Sequence, residues 1–174
     1  MCFQIRIYWV DADHILREHC CDDGHSWYVG GLSSYNISVH VHSKLAACAW
    51  LTSSDWHIRV YFQAPDGAMH EWVWEDAGWR SGTTFTPPTP TVGSFLASTC
   101  DSPGLAPSIR VYYQTDDGFI RERVAGPDGW TTGRCRYRSC LAKSNCTQAN
   151  HQNIHRYVCL PSTGGRVLYS TIWE

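Results

Sequence analysis

The 174-residue chain is predicted to be all-β: a β-propeller of four-stranded antiparallel blades, present in part as about three blades and an incomplete fourth. Three observations predict this: a strand-patterned segment recurs, four residue types keep their place in each copy, and the period is that of one blade. The copies read IRIYWVDADHILREHCCDDGHSWYVG from Ile5 to Gly30, HIRVYFQAPDGAMHEWVWEDAGWRSG from His57 to Gly82, and IRVYYQTDDGFIRERVAGPDGWTTG from Ile109 to Gly133. Arg6, Arg59 and Arg110 share one column, and Tyr8, Tyr61 and Tyr112 another. Glu18, Glu71 and Glu122 stand twelve residues after the arginines, followed by Trp27, Trp79 and Trp130 and then a glycine. From Ile5 to Ile58 to Ile109 the period is 53 and then 51 residues.

In the first copy, Ile5 and Ile7 alternate with Arg6 and Tyr8, as the period of a strand requires. Asp11 to Asp13 is the predicted turn, His14 to Cys21 the return strand, Asp22-Asp23-Gly24 the next turn, and Trp27 the start of a third strand. The first strand begins at Phe3, which leaves no room for a leading strand and suggests a cut start. Between copies, SKLAACAW from Ser43, GSFLASTC from Gly93 and SCLAKSNC from Ser139 share a Leu-Ala pair. Ala46, Ala97 and Ala142 lie twelve residues before Ile58, Ile109 and Ile154, and these segments read as the fourth strand of each blade. TFTPPTPTV from Thr84 is a loop, because consecutive prolines cannot donate to a ladder. The last unit has His155 in the arginine column and Val167, Tyr169 or Ser170 in the glutamate column, so it is incomplete. The expected organisation is one domain, residues 1–174, with units of approximately 3–52, 53–104, 105–150 and 151–174.

Fourteen Lys plus Arg against sixteen Asp plus Glu create no basic field, which argues against nucleic acid and anionic membranes as partners. Nine Trp and nine Tyr form a surplus of side chains that join apolar area to a polar handle, which suits carbohydrate. The cysteine count is odd, and the N-terminus carries neither a basic leader nor a long apolar run. A cytoplasmic protein with reduced thiols is therefore expected, or one secreted by a non-classical route, with the sequons at Asn36 and Asn145 unused. Cys135, Cys140, Cys146, His151, His155 and Cys159 crowd the C-terminal quarter, but not in the paired short loops of structural zinc sites. No metal or cofactor is expected.

Twelve residues between Arg59 and Glu71 put the midpoint at Pro65, inside the turn Ala64-Pro65-Asp66-Gly67. The two side chains are thus expected roughly opposite each other on one sheet face, as are Arg6 with Glu18 and Arg110 with Glu122. A cross-strand ion pair worth about 0.2–1 kcal/mol is one reading. The other is sugar recognition: both identities are retained in three copies, and a fixed donor fork beside a carboxylate matches vicinal hydroxyls.

The runs IRVYFQ, HEWVWEDAGWRSG, IRVYYQ and IRERVAGPDGW are similar to those of the fungal fucose-specific lectins, the Aleuria-type family. The resemblance rests on motifs over residues 3–133 and on strand spacing alone over 134–174. It implies a six-bladed propeller that binds L-fucose between adjacent blades, with no catalysis, and fucosylated glycans as partners. Similar two-blade bacterial lectins trimerise into such a ring, so self-association of this chain is a further implication. Carried over, the first site is Arg6 and Glu18 with Trp74 and Trp79, and the second is Arg59 and Glu71 with Trp130, where Ala125 replaces the Trp74 equivalent. The third is Arg110 and Glu122, completed only by the damaged fourth unit, where Trp173 is the available substitute.

Trp74 is open to ligand stacking or core filling, the Trp27, Trp79 and Trp130 column to both at once, and the tyrosine column is assigned to packing. Two alternatives stand beside the lectin. Asp22-x-Gly24-x-x-Trp27 echoes the turn of propeller sialidases, but a glycoside hydrolase needs its charges concentrated, not spread one pair per blade. The incomplete fourth unit also fits a truncated, non-functional lectin relic.

Overall fold

Each of the three copies folds as an antiparallel sheet in which a tight turn joins the arginine strand to the glutamate strand. The computed structural model describes residues 4–52, 55–85, 89–101, 108–126, 128–138, 156–160 and 168–171. The first copy forms β1 (Gln4–Val10), β2 (Leu16–Cys21) and β3 (Trp27–Val29), followed by a 3-10 helix at Gly31–Tyr35. The second forms β4 (Ala46–Leu51), β5 (Trp56–Gln63), β6 (Met69–Glu75) and β7 (Gly78–Thr84). The third forms β8 (Leu96–Asp101), β9 (Ser108–Gln114), β10 (Phe119–Gly126) and β11 (Gly129–Arg138), and β12 (Arg156–Leu160) and β13 (Leu168–Thr171) close the series. The sheets run β13-β12-β1-β2-β3, β4-β5-β6-β7 and β11-β10-β9-β8. This is a β-propeller present in part, as the repeat predicts.

Two strand placements differ from the sequence expectation. The first two Leu-Ala segments do not close the preceding blade: β4 pairs with β5, Cys48 opposite Arg59, and β8 pairs with β9, Thr99 opposite Arg110; the third, from Ser139, lies outside the described residues. The first two are the inner strands of the sheets that follow them, because each leads directly into the arginine strand by an antiparallel turn. The leading place before β1 is also filled. β12 lies antiparallel to β1, Val158 opposite Arg6, so strands expected to begin a fourth blade join the first sheet instead.

The hairpin loops explain the register. Gly67 and Gly118 adopt left-handed φ of 83° and 78°, and His14 takes the same place at 60°. Gly67 N–H bonds back to Ala64, Gly118 N–H to Thr115 and His14 N–H to Asp11, so each loop is a four-residue turn closed by a left-handed residue. Its centre falls one residue later than a turn at Pro65 implies. Tyr61, not Arg59, therefore lies directly across from Glu71, and Arg59 lies across from Val73. The same holds for Tyr8 with Glu18 and Tyr112 with Glu122. Arginine and glutamate share a face, as expected, but diagonally.

The second sheet is buried on both faces. Ile58, Val60, Phe62 and Ala47 pack with Tyr8, Leu16 and Leu32 toward the first sheet. Ala46, Cys48, Trp50 and Tyr61 pack with Leu96, Ile109 and Val111 toward the third. Its inner strand accordingly reads as a continuous run of small and apolar residues instead of alternating with polar ones. Wedges between sheets, on the glutamate side, are where the candidate sites lie.

Candidate functional site

Each glutamate is buried, with 2% of Glu18, 5% of Glu71 and 4% of Glu122 exposed. A buried carboxylate is costly unless donors surround it, and the fold supplies them. Tyr8, Tyr61 and Tyr112 hydroxyls donate to the Oε1 atoms at 3.1, 3.0 and 2.9 Å. Leu32 N–H donates to Glu18 Oε2 at 3.0 Å and Thr83 N–H to Glu71 Oε2 at 3.1 Å. Burial and the adjacent carboxylate both push the tyrosine hydroxyls up, so they stay protonated and act as donors. The tyrosine column thus packs and also orients the glutamates. Its signal in the sequence was a constant ten-residue spacing to the glutamate.

The glycine after each tryptophan has a steric reason. A Cβ at Gly30, Gly82 or Gly133 would lie closer than 3.0 Å to the carboxylate of Glu18, Glu71 or Glu122. The strand register also shifts around Glu71 and Glu122, a bulge that sets the carboxylate against this glycine.

The arginines differ among the copies. Arg110 Nη1 meets Glu122 Oε1 at 2.6 Å, and this carboxylate holds the guanidinium above its ordinary range. Arg59 Nε is 3.7 Å from Glu71, but Nη2 pairs with Glu75 at 3.0 Å and the guanidinium sits 4.8 Å over the Trp50 ring. Arg6 pairs at 2.7 Å with Asp22, whose other oxygen accepts from the Tyr28 hydroxyl. Asp22 and Glu75 stand four residues after the site glutamates, where the third copy has Gly126. The expected Arg–Glu contact is therefore close in the third copy, loose in the second, and replaced by Arg6–Asp22 in the first. In the sequence Asp22 reads only as a turn residue, and Glu75 and Trp50 do not stand out, although the four-residue spacing puts the acids on the glutamate's sheet face.

The tryptophans join adjacent sheets. Trp79 Nε1–H donates to Glu18 Oε2 at 3.2 Å, and its ring meets Tyr8 edge-on with centroids 6.2 Å apart. Trp130 repeats this one sheet on, edge-on to Tyr61 at 6.0 Å. Trp74 packs against Trp79 at 5.7 Å and against the core, while Ala125 takes its cross-strand place opposite Trp130. A cavity of 440 Å³ between the first and second sheets is lined by Arg6, Glu18, Asp22, Trp56, Trp74 and Trp79, among others. The four residues of the first predicted site thus share one pocket. The second set, Arg59, Glu71 and Trp130, converges between the second and third sheets through Tyr61. Arg110 and Glu122 lie together on the third sheet, and Trp173 lies outside the described residues. Of the C-terminal Cys/His cluster only the backbone at Cys135 and Cys159 is described.

Comparison with known proteins adds the following. The family model "Fungal fucose-specific lectin" matches residues 2–170. A fucose-specific lectin of Aleuria aurantia is 38% identical over 135 residues, which are 75% of this chain and 41% of that protein. A crystal structure of the Aleuria aurantia lectin, described as a six-bladed β-propeller, superposes with a TM-score of 0.69 at 28% identity over 98% of this chain and 57% of that one. A fucose lectin from Kordia zhangzhouensis in complex with methyl-fucoside superposes with a TM-score of 0.66 at 29% identity, covering 76% of this chain and 90% of that one. The chain spans less than half the length of the curated relatives it matches.

Proposed function

Because the chain belongs to the fungal fucose-specific lectin family, we propose that its wedges between sheets bind L-fucose on fucosylated glycans, without metal or catalysis. The observation that carries this reading is the first pocket, where Arg6, Glu18, Trp74 and Trp79 line one cavity. A carboxylate already held by tyrosine, backbone and indole donors presents its remaining lone pair, on Oε1, to a sugar hydroxyl. The guanidinium donates to hydroxyl and ring oxygens, and the indoles cover the C–H face and the methyl group of the sugar.

The three sites are unequal in this reading. The first has two tryptophans, the second has Trp130 with Ala125 in place of the other, and the third has the Arg110–Glu122 pair. Single pockets of this kind bind modestly, and several engaged at once give avidity. Self-association of copies belongs to the same proposal. Trp27, in the column of Trp79 and Trp130, is 48% exposed where Trp79 is 6% exposed, so it presents an indole to a neighbouring sheet.

Calorimetric titration of the purified chain with methyl α-L-fucoside, galactose as control and light scattering on the same sample, tests this. Saturable, fucose-selective heat supports the proposal. A folded sample that gives no heat with fucoside, or the same heat with galactose, contradicts it.

A further inference from the structure

Two thiols meet where the inner strands of the second and third sheets pack, in a place the sugar site does not use. Cys48 lies on β4, opposite Arg59, and is wholly buried among Ala46, Tyr61, Leu96 and Val111. Cys100 lies on β8, opposite Ile109, half-buried against the same cluster. Its Sγ donates to the carbonyl of Ala49, the residue next to Cys48, at 3.1 Å. The Cys48 thiol is in turn hydrogen-bonded to Cys100. The small side chain of Ala46, two residues before Cys48 on the same face of β4, lets the two strands approach closely.

We propose that Cys48 and Cys100 are a redox modification site, a dithiol that a small disulfide oxidant of the glutathione class converts to a bridge between the second and third sheets. Cys100 reacts first, because it has the solvent access that Cys48 lacks. Its thiolate attacks one sulfur of glutathione disulfide, forming the mixed disulfide and releasing one glutathione, which takes up a proton. Cys48 then gives up its proton and attacks the Cys100 sulfur, forming the Cys48–Cys100 bond and expelling the second glutathione as a thiol. The two protein thiols lose two protons and two electrons, and glutathione disulfide gains both. The hydrogen bond to Cys100 and burial hold the Cys48 thiol well above its ordinary range, which assigns it the second, slower step.

The bridge would close a loop spanning the second sheet and the linker to the third, and it would fix the two walls between which Arg59, Glu71 and Trp130 converge. The test is peptide mapping by mass spectrometry of the wild-type chain after incubation with glutathione disulfide, with remaining thiols alkylated under denaturing conditions. The expected result is a cross-linked Cys48–Cys100 peptide pair about 2 Da lighter than the sum of the two reduced peptides, reversed by dithiothreitol. The Cys48→Ser variant is expected to stop at a glutathione adduct on Cys100. The proposal is overturned if both thiols remain as alkylatable as in untreated protein, if Cys100 keeps its glutathione in the wild-type chain, or if either cysteine bridges to another one.

Discussion

The Tyr61 hydroxyl donates to Glu71 Oε1 at 3.0 Å, directly across the β5–β6 hairpin, and both residues are buried between two sheets. Removing this donor leaves a buried carboxylate short of one bond. Hydrogen bonds to charged groups contribute about 1.5–3 kcal/mol, so Tyr61→Phe is expected to lower the unfolding free energy by about that amount. Urea denaturation at neutral pH measures it.

Gly82 and Gly78 sit on the same strand and make a matched pair. A Cβ at Gly82 would meet Glu71 Oε2 at 2.5 Å and Val73 Cγ2 at 2.7 Å, whereas one at Gly78 meets nothing within 4 Å. Gly82→Ala is expected to cost about 1–3 kcal/mol by forcing the carboxylate from its place. Gly78→Ala should stay within about 0.5 kcal/mol of the parent. Equal stabilities for the two variants would show that Glu71 does not occupy the space beside Gly82 that the register assigns it.

Trp79→Phe keeps an aromatic ring in the first pocket and deletes the Nε1–H bond to Glu18. Fucoside affinity at that pocket is expected to fall about 10- to 100-fold, the equivalent of one hydrogen bond to a charged group. The pocket between the second and third sheets should be unchanged. Titration of the variant beside the parent separates the two.

Asp22 is pushed up by burial, but bonds from Tyr28 and Arg6 outweigh this and hold it below its ordinary value of 3.8. A carboxylate depressed by folding stabilises the folded state above its unfolded pKa, and that contribution is lost as pH falls through the folded pKa. The stability difference between the parent and Asp22→Asn is therefore expected to be constant near neutrality and to shrink below about pH 4. Denaturant midpoints of both proteins across that range check the sign.

Much of this architecture was legible because a repeat displays its own alignment. The Arg, Tyr, Glu, Trp and Gly columns located the hairpins, and the resemblance to the fucose-specific lectins pointed to a wedge shared by adjacent sheets, where Trp79 meets Glu18. The exchange of facing partner from arginine to tyrosine was not legible. It depends on a left-handed residue that lengthens the loop, which Gly67 and Gly118 signal but His14 disguises. The acids at Asp22 and Glu75 were missed because the third copy lacks one, so they form no column. Strand pairing between β12 and β1 joins opposite ends of the chain, and local pattern carries no information about it.

The most direct test of the account removes one charged partner from each of the two pockets. Arg6→Ala and Glu71→Ala variants, shown to be folded by circular dichroism, are titrated with methyl α-L-fucoside beside the parent chain. Each variant is expected to lose the heat of its own pocket and keep that of the other. Folded variants that bind the fucoside as well as the parent would contradict it.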